Sequence, residues 1–299
     1  MKGNNIVTSP RLRVPECADE HSYADSPIAN LAMVSWLGRW RDGYMTWLAA
    51  YVDATGTKDT PALFVSGFVA KVPGWLMFER CWLSSLEECD ITPPFHMNKF
   101  ALGQGQFESW KDDKERRAAV MAQLIKVSLD HTLWSFSSGV GLLDYEAVNR
   151  EYCVQESETM GHPYTICATM TMQQLVEWQT ANGLKEERVI VAFERGDAHQ
   201  GQFKSRMEVF GFDVAFLGKE EKVPFQAADV LAYEHGQLHK DVVSGRITTR
   251  RTGSAYERAA PEQARKSHLA FEASGSKDWG FHDARTLRVW CIRHGIPKR

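Results

Sequence analysis

The segment Trp47-Leu48-Ala49-Ala50-Tyr51-Val52-Asp53 constrains this chain more than any other: six apolar or small residues run straight into an acid. Ala54-Thr55-Gly56 then turns the chain. An apolar run of this length, closed by a turn signal, predicts a buried strand over Trp47–Asp53. A carboxylate at the end of a buried strand is costly unless something positive meets it. Asp53 is therefore either a turn-capping residue, ordinary before a glycine, or a ligand for a cation. A second segment repeats the design, because Arg188-Val189-Ile190-Val191-Ala192-Phe193 ends in Glu194.

Between these acid-tipped strands the pattern alternates. Ala62–Ala70 predicts a strand paired as a hairpin with Trp47–Asp53. Pro73 suits the first turn of a helix, where its missing N–H costs nothing. Trp75, Phe78, Trp82 and Leu86 then recur at helical spacing and make one apolar face. The sequence further predicts a short strand over Ile91–Met97, a helix over Lys111–Leu129, and a strand over Thr132–Phe136. Gly141–Asn182 is expected to be helical, with Leu175 and Val176 as its core residues. Phe203, Met207 and Phe210 indicate a helix, Asp213–Leu217 a strand, and Pro224–Glu234 a helix opened by proline. Hairpin strands first, then strands alternating with helices, imply an α/β fold: a mixed sheet flanked by helices.

Three acids in otherwise apolar segments now stand out. Asp53 and Glu194 meet at one end of the sheet if their strands are parallel neighbours, the end where open α/β sheets place their sites. Gln226 and Asp229 lie three residues apart, on one helix face, with Ala227 and Leu231 directed elsewhere. Carboxylates brought together repel, and shared divalent cations relieve the repulsion. Two such metals, about 3.5–4 Å apart, would activate a water and stabilise the leaving oxygen in phosphodiester cleavage.

The segments Tyr51–Gly56, Phe193–Asp197 and Phe225–Glu234, with Phe95-His96-Met97 as a fourth, resemble in order the motifs of one bacterial and phage family. It is catalogued as domain of unknown function 3800 and is similar in fold to ribonuclease H. The resemblance covers roughly residues 47 to 240. It implies a ribonuclease H-like sheet with Asp53 on the first strand, Glu194 on the fourth and Asp229 on the closing helix, holding Mg²⁺ or Mn²⁺. Asp197 would assist the metals or cap the next helix. His96 would be a proton shuttle or water-positioning group, or a structural histidine. The chain departs from the pattern at Asn98-Lys99, where an acidic or hydroxyl residue often follows the Phe-His step. A fourth acid is left to Glu108, Asp112 or Glu115.

The expected activity is a metal-dependent nuclease acting on DNA or RNA. The alternative is a non-catalytic nucleic-acid-binding or scaffold protein with a degenerate site. A glycosidase built on paired carboxylates would need an aromatic sugar platform and no metal, and no spacing favours it. Composition bears on location and partners. The six cysteines include no Cys-x-x-Cys pair, which suits reduced thiols in a cytoplasmic protein rather than disulfides or a zinc site. The first residues lack the apolar run of a signal peptide. No stretch approaches the roughly 18 apolar residues of a membrane span. Net charge is −3 but uneven: Gly245–Arg299 carries 12 Lys or Arg against 5 Asp or Glu, leaving 23 against 33 elsewhere. Such a basic tail suits phosphate contact. The organisation expected is an extension over 1–43, the ribonuclease H-like domain over 44–244, and a basic extension over 245–299 packed on or beside it.

Overall fold

A computed structural model describes residues 48–55, 60–196, 199–209, 214–219, 222–243 and 280–299. The expected helix near 28–38, the 1–43 extension, Asp197, Phe210, Asp213 and most of the basic tail lie outside these residues.

β1 (Leu48–Thr55) and β2 (Ala62–Lys71) form the hairpin expected from their apolar runs, and β2 pairs antiparallel with β3 (Trp134–Gly141). On the other side of β1, β4 (Val189–Glu194) runs parallel, with Leu48 opposite Val189 and Val52 opposite Phe193. β5 (Val214–Leu217) continues the parallel half, and a short β6 (Phe281–His282) joins β3. The sheet order is β5-β4-β1-β2-β3-β6. This is a mixed α/β sheet, antiparallel hairpin strands followed by parallel ones.

Helices cover both faces, and strand alternation decides which side chain meets which layer. Leu48, Ala50 and Val52 point to a core shared with α4 (Leu142–Glu151), α5 (Pro163–Ala181), α6 (Gln200–Val209) and α8 (Ala284–Arg293). Ala49 and Tyr51 point to the opposite core. There α1 (Val72–Glu88), α2 (Met97–Leu102), α3 (Lys114–His131) and α7 (Pro224–Val243) pack. Trp75, Phe78, Trp82 and Leu86 of α1 are fully buried there. Tyr51 sits edge-on to both Trp75 and Phe225, with ring centroids 5.0 and 5.4 Å apart.

Two expectations are corrected. Ile91–His96 is a loop, not a strand, and Met97 begins α2. Pro93 and Pro94 have no N–H to give a ladder, and the N–H groups around them go to side chains instead. Thr92 donates to Gln106, Phe95 to Gln226, and Met97 to Asp229. The stretch Gly141–Asn182 is two helices, α4 and α5, with Gly141 itself ending β3. Leu175 is buried, whereas Val176 is 36% exposed, since neighbours on a helix face different directions.

The C-terminal end returns to the sheet. β6 lines the edge of β3, and Arg288 of α8 makes a bidentate ion pair with Glu151 of α4.

Candidate active site: three carboxylates around one lysine

Alternation along β1 puts Asp53 on the same face as Ala49 and Tyr51, and alternation along β4 puts Glu194 on the same face as Ala192. Both are on the α7 side. The parallel register ends at Val52 opposite Phe193, so the next residue on each strand is an acid. α7 crosses this end of the sheet with Asp229 turned toward it. The helix is fixed by Gln226, whose Oε1 accepts from the Trp82 indole at 2.9 Å and from the Phe95 N–H at 2.8 Å.

The three carboxylates converge on a group the sequence reading had not singled out. Lys219 Nζ lies 3.1 Å from Asp53 Oδ2, 3.0 Å from Glu194 Oε2 and 3.1 Å from Asp229 Oδ2. Leu217, the last residue of β5, pairs with Glu194, and Lys219 follows two residues later in the turn beyond the strand. The second oxygen of Asp53 has a backbone partner, since Ala54 N–H donates to Asp53 Oδ1 at 2.7 Å, and the Asp229 Oδ2 that meets Lys219 also accepts from Met97 N–H at 3.0 Å.

Burial pushes the Asp53 carboxyl well above its ordinary range. Lys219 opposes that, while a hydrogen bond with Glu194 and the charges of Asp229 and Glu194 add to it. Burial works against the charged form of Lys219, but Asp53, Asp229 and Glu194 together hold its ammonium above its usual range. Lys219 is charged, and its three N–H groups match three acceptors.

His96 caps the N-terminus of α2 through its backbone and lies at the rim of the cluster. Burial first, then Lys219 and Lys99, lower its imidazole below the ordinary value, against the pull of Asp229 and Glu194. Glu108 on the 3-10 helix before α3, Asp112 in the turn that follows it and Glu115 at the start of α3 are exposed, and they are not among the carboxylates acting on Lys219. Asn98 and Lys99 lie in α2.

Among the described residues no group of three or more His, Cys, Asp or Glu is arranged to hold a metal ion. The three acids here are spread around an ammonium instead. The donor set nevertheless suits a hard divalent cation, because it consists of carboxylate oxygens turned toward one point.

No family model matches the chain, and no curated protein matches it. Among solved structures, the chain is similar to one in the PCNA:RNase HII complex from Archaeoglobus fulgidus. The TM-score is 0.36 at 14% identity, covering 76% of this chain and 90% of that one. A likeness of this size carries no argument about activity.

Proposed function

We propose that this chain is a metal-dependent nuclease of the family catalogued as domain of unknown function 3800, hydrolysing phosphodiester bonds in DNA or RNA. The observation that supports this most is the convergence of Asp53, Glu194 and Asp229, from two parallel strands and one helix, on a single cation position. These three residues would hold Mg²⁺ or Mn²⁺. Such ions, when bound, supply a water of lowered pKa and neutralise charge on the leaving oxygen.

The chain's own part is placement and proton handling. Gln226 holds α7 so that Asp229 faces the strand ends. Met97 N–H fixes one Asp229 oxygen. Burial lowers the His96 imidazole below its ordinary value, and a neutral imidazole can accept a proton from water. Asp197 is assigned an assisting role from the sequence resemblance alone. No helix among the described residues is long and apolar enough to cross a membrane.

One observation favours a second reading, a non-catalytic nucleic-acid-binding protein: the acid cluster already contains a saturated cation, Lys219. Labelled single- and double-stranded DNA and RNA, incubated with the protein and either Mn²⁺ or EDTA, separates the two. Cleavage that needs Mn²⁺ and is lost in Asp229→Asn supports the nuclease. Binding without cleavage of any of the four substrates favours the second reading.

A further inference from the structure

We infer that Lys219 is a displaceable resident cation: its ammonium occupies the position a divalent metal must take, so metal loading expels it from between Asp53, Glu194 and Asp229. The inference rests on reading this site as a metal centre, and adds how that centre is regulated.

Three observations carry it. Lys219 gives one contact to each carboxylate, all at 3.0–3.1 Å, which uses every N–H an ammonium has. Metal–oxygen distances are about 2.0–2.1 Å for Mg²⁺, so an ion bound by these same oxygens would lie in the space Nζ now fills. The two cations exclude each other. Next, one ammonium does not neutralise three carboxylates, whereas a divalent ion removes more of their repulsion. The lysine is the weaker of two competitors rather than a complete substitute. Finally, Lys219 follows Gly218 just beyond β5. Its long flexible stem can therefore withdraw without breaking a ladder hydrogen bond, while the acids stay anchored on β1, β4 and α7.

The device has a functional consequence. Without metal the lysine keeps the cluster intact and occupied. With metal its ammonium is released at the mouth of the site, where a phosphate of the bound nucleic acid is the natural counter-charge.

The test uses the full chain and Mn²⁺. Lys219→Met keeps the length of the side chain and removes its charge. Mn²⁺ affinity, measured by calorimetry, should tighten roughly tenfold or more, because a site blocked part of the time binds with its affinity scaled by the open fraction. The metal-free variant should melt at lower temperature than the parent. On the parent protein, acetylation of Lys219 by acetic anhydride, read by mass spectrometry, should rise when Mn²⁺ is added. This second measurement decides the matter if the variant does not fold. Should the parent bind Mn²⁺ while the variant binds it no more tightly and labelling stays constant, the inference is overturned and the metal centre stands. Binding by the variant but not by the parent upholds the exclusion and overturns metal-dependent activity in the natural chain. Binding by neither overturns both.

Discussion

The indole N–H of Trp82 donates to Oε1 of Gln226 at 2.9 Å, across 144 residues of chain. That oxygen also accepts from Phe95 N–H at 2.8 Å. One buried acceptor thus ties α1 and the Ile91–His96 loop to the helix that carries Asp229.

Gln226→Leu fills similar space but leaves both donors without a partner. An unsatisfied buried donor costs about 1–3 kcal/mol, so with two of them the variant should lose about 2–6 kcal/mol in urea unfolding, with an unchanged slope. Trp82→Phe leaves Gln226 its Phe95 partner and should lose less. Mn²⁺ binding should weaken in Gln226→Leu even where the protein is folded, because Asp229 loses its support.

Asp53→Asn keeps the shape of the side chain and one acceptor. It removes the charge a divalent ion needs, so cleavage should fall several hundred-fold or more, on the order of 4 kcal/mol in the barrier. Melting the parent and the variant with Mn²⁺ and with EDTA checks the assignment independently of activity. The variant should gain less from Mn²⁺, since a ligand stabilises the state it binds. An equal gain makes Asp53 a turn residue only.

The pH dependence of the metal-free protein follows from the raised Asp53 carboxyl. A folded state that holds a proton more tightly than the unfolded chain binds more protons in between. Stability therefore falls as pH rises from the ordinary aspartate value of 3.8 toward the raised folded value. Asp53→Asn lacks this contribution. The urea midpoint of the parent, relative to the variant, should decline between acid pH and neutrality. Lys219 acts at the other end of the scale. Its contribution is fully present below its ordinary value of 10.5 and is lost as pH rises through the higher folded value.

Gly67 lies opposite Val52 in the hairpin, and a Cβ there would come within 2.5 Å of the Tyr51 carbonyl oxygen. Backbone cannot give way as a side-chain tip can. Gly67→Ala should destabilise by about 2–3 kcal/mol in thermal unfolding, as overpacking does. Because β1 carries Asp53, it should also lower Mn²⁺ affinity.

Much of this arrangement was legible in the chain because it is written in period and punctuation. The runs ending in Asp53 and Glu194 are apolar at every position, as central strands covered on both faces must be. The aromatic spacing from Trp75 to Leu86 and the Pro224 start of α7 follow helical rules. Lys219 was not legible. A lysine after a four-residue strand looks like solvated surface until the pairing of Leu217 with Glu194 is known. That register is set by tertiary contacts and not by local pattern. The Ile91–His96 loop is hidden for a related reason: Ile91 and Phe95 are core residues, but the Phe95 N–H is satisfied by the side chain of Gln226, more than a hundred residues away, rather than by a neighbouring strand.

The parallel pairing of β1 with β4 carries a cost in time. β1 and β2 are close in sequence and pair locally, but Leu48 meets Val189 only after most of the chain has been made. Contacts between such distant segments form late and slow the folding of the whole domain, because loop closure must come first. Asp53 and Glu194 are therefore brought together late, once β4 has been made and has paired with β1. No fragment ending before Asp229 can assemble the cluster of Asp53, Glu194, Lys219 and Asp229.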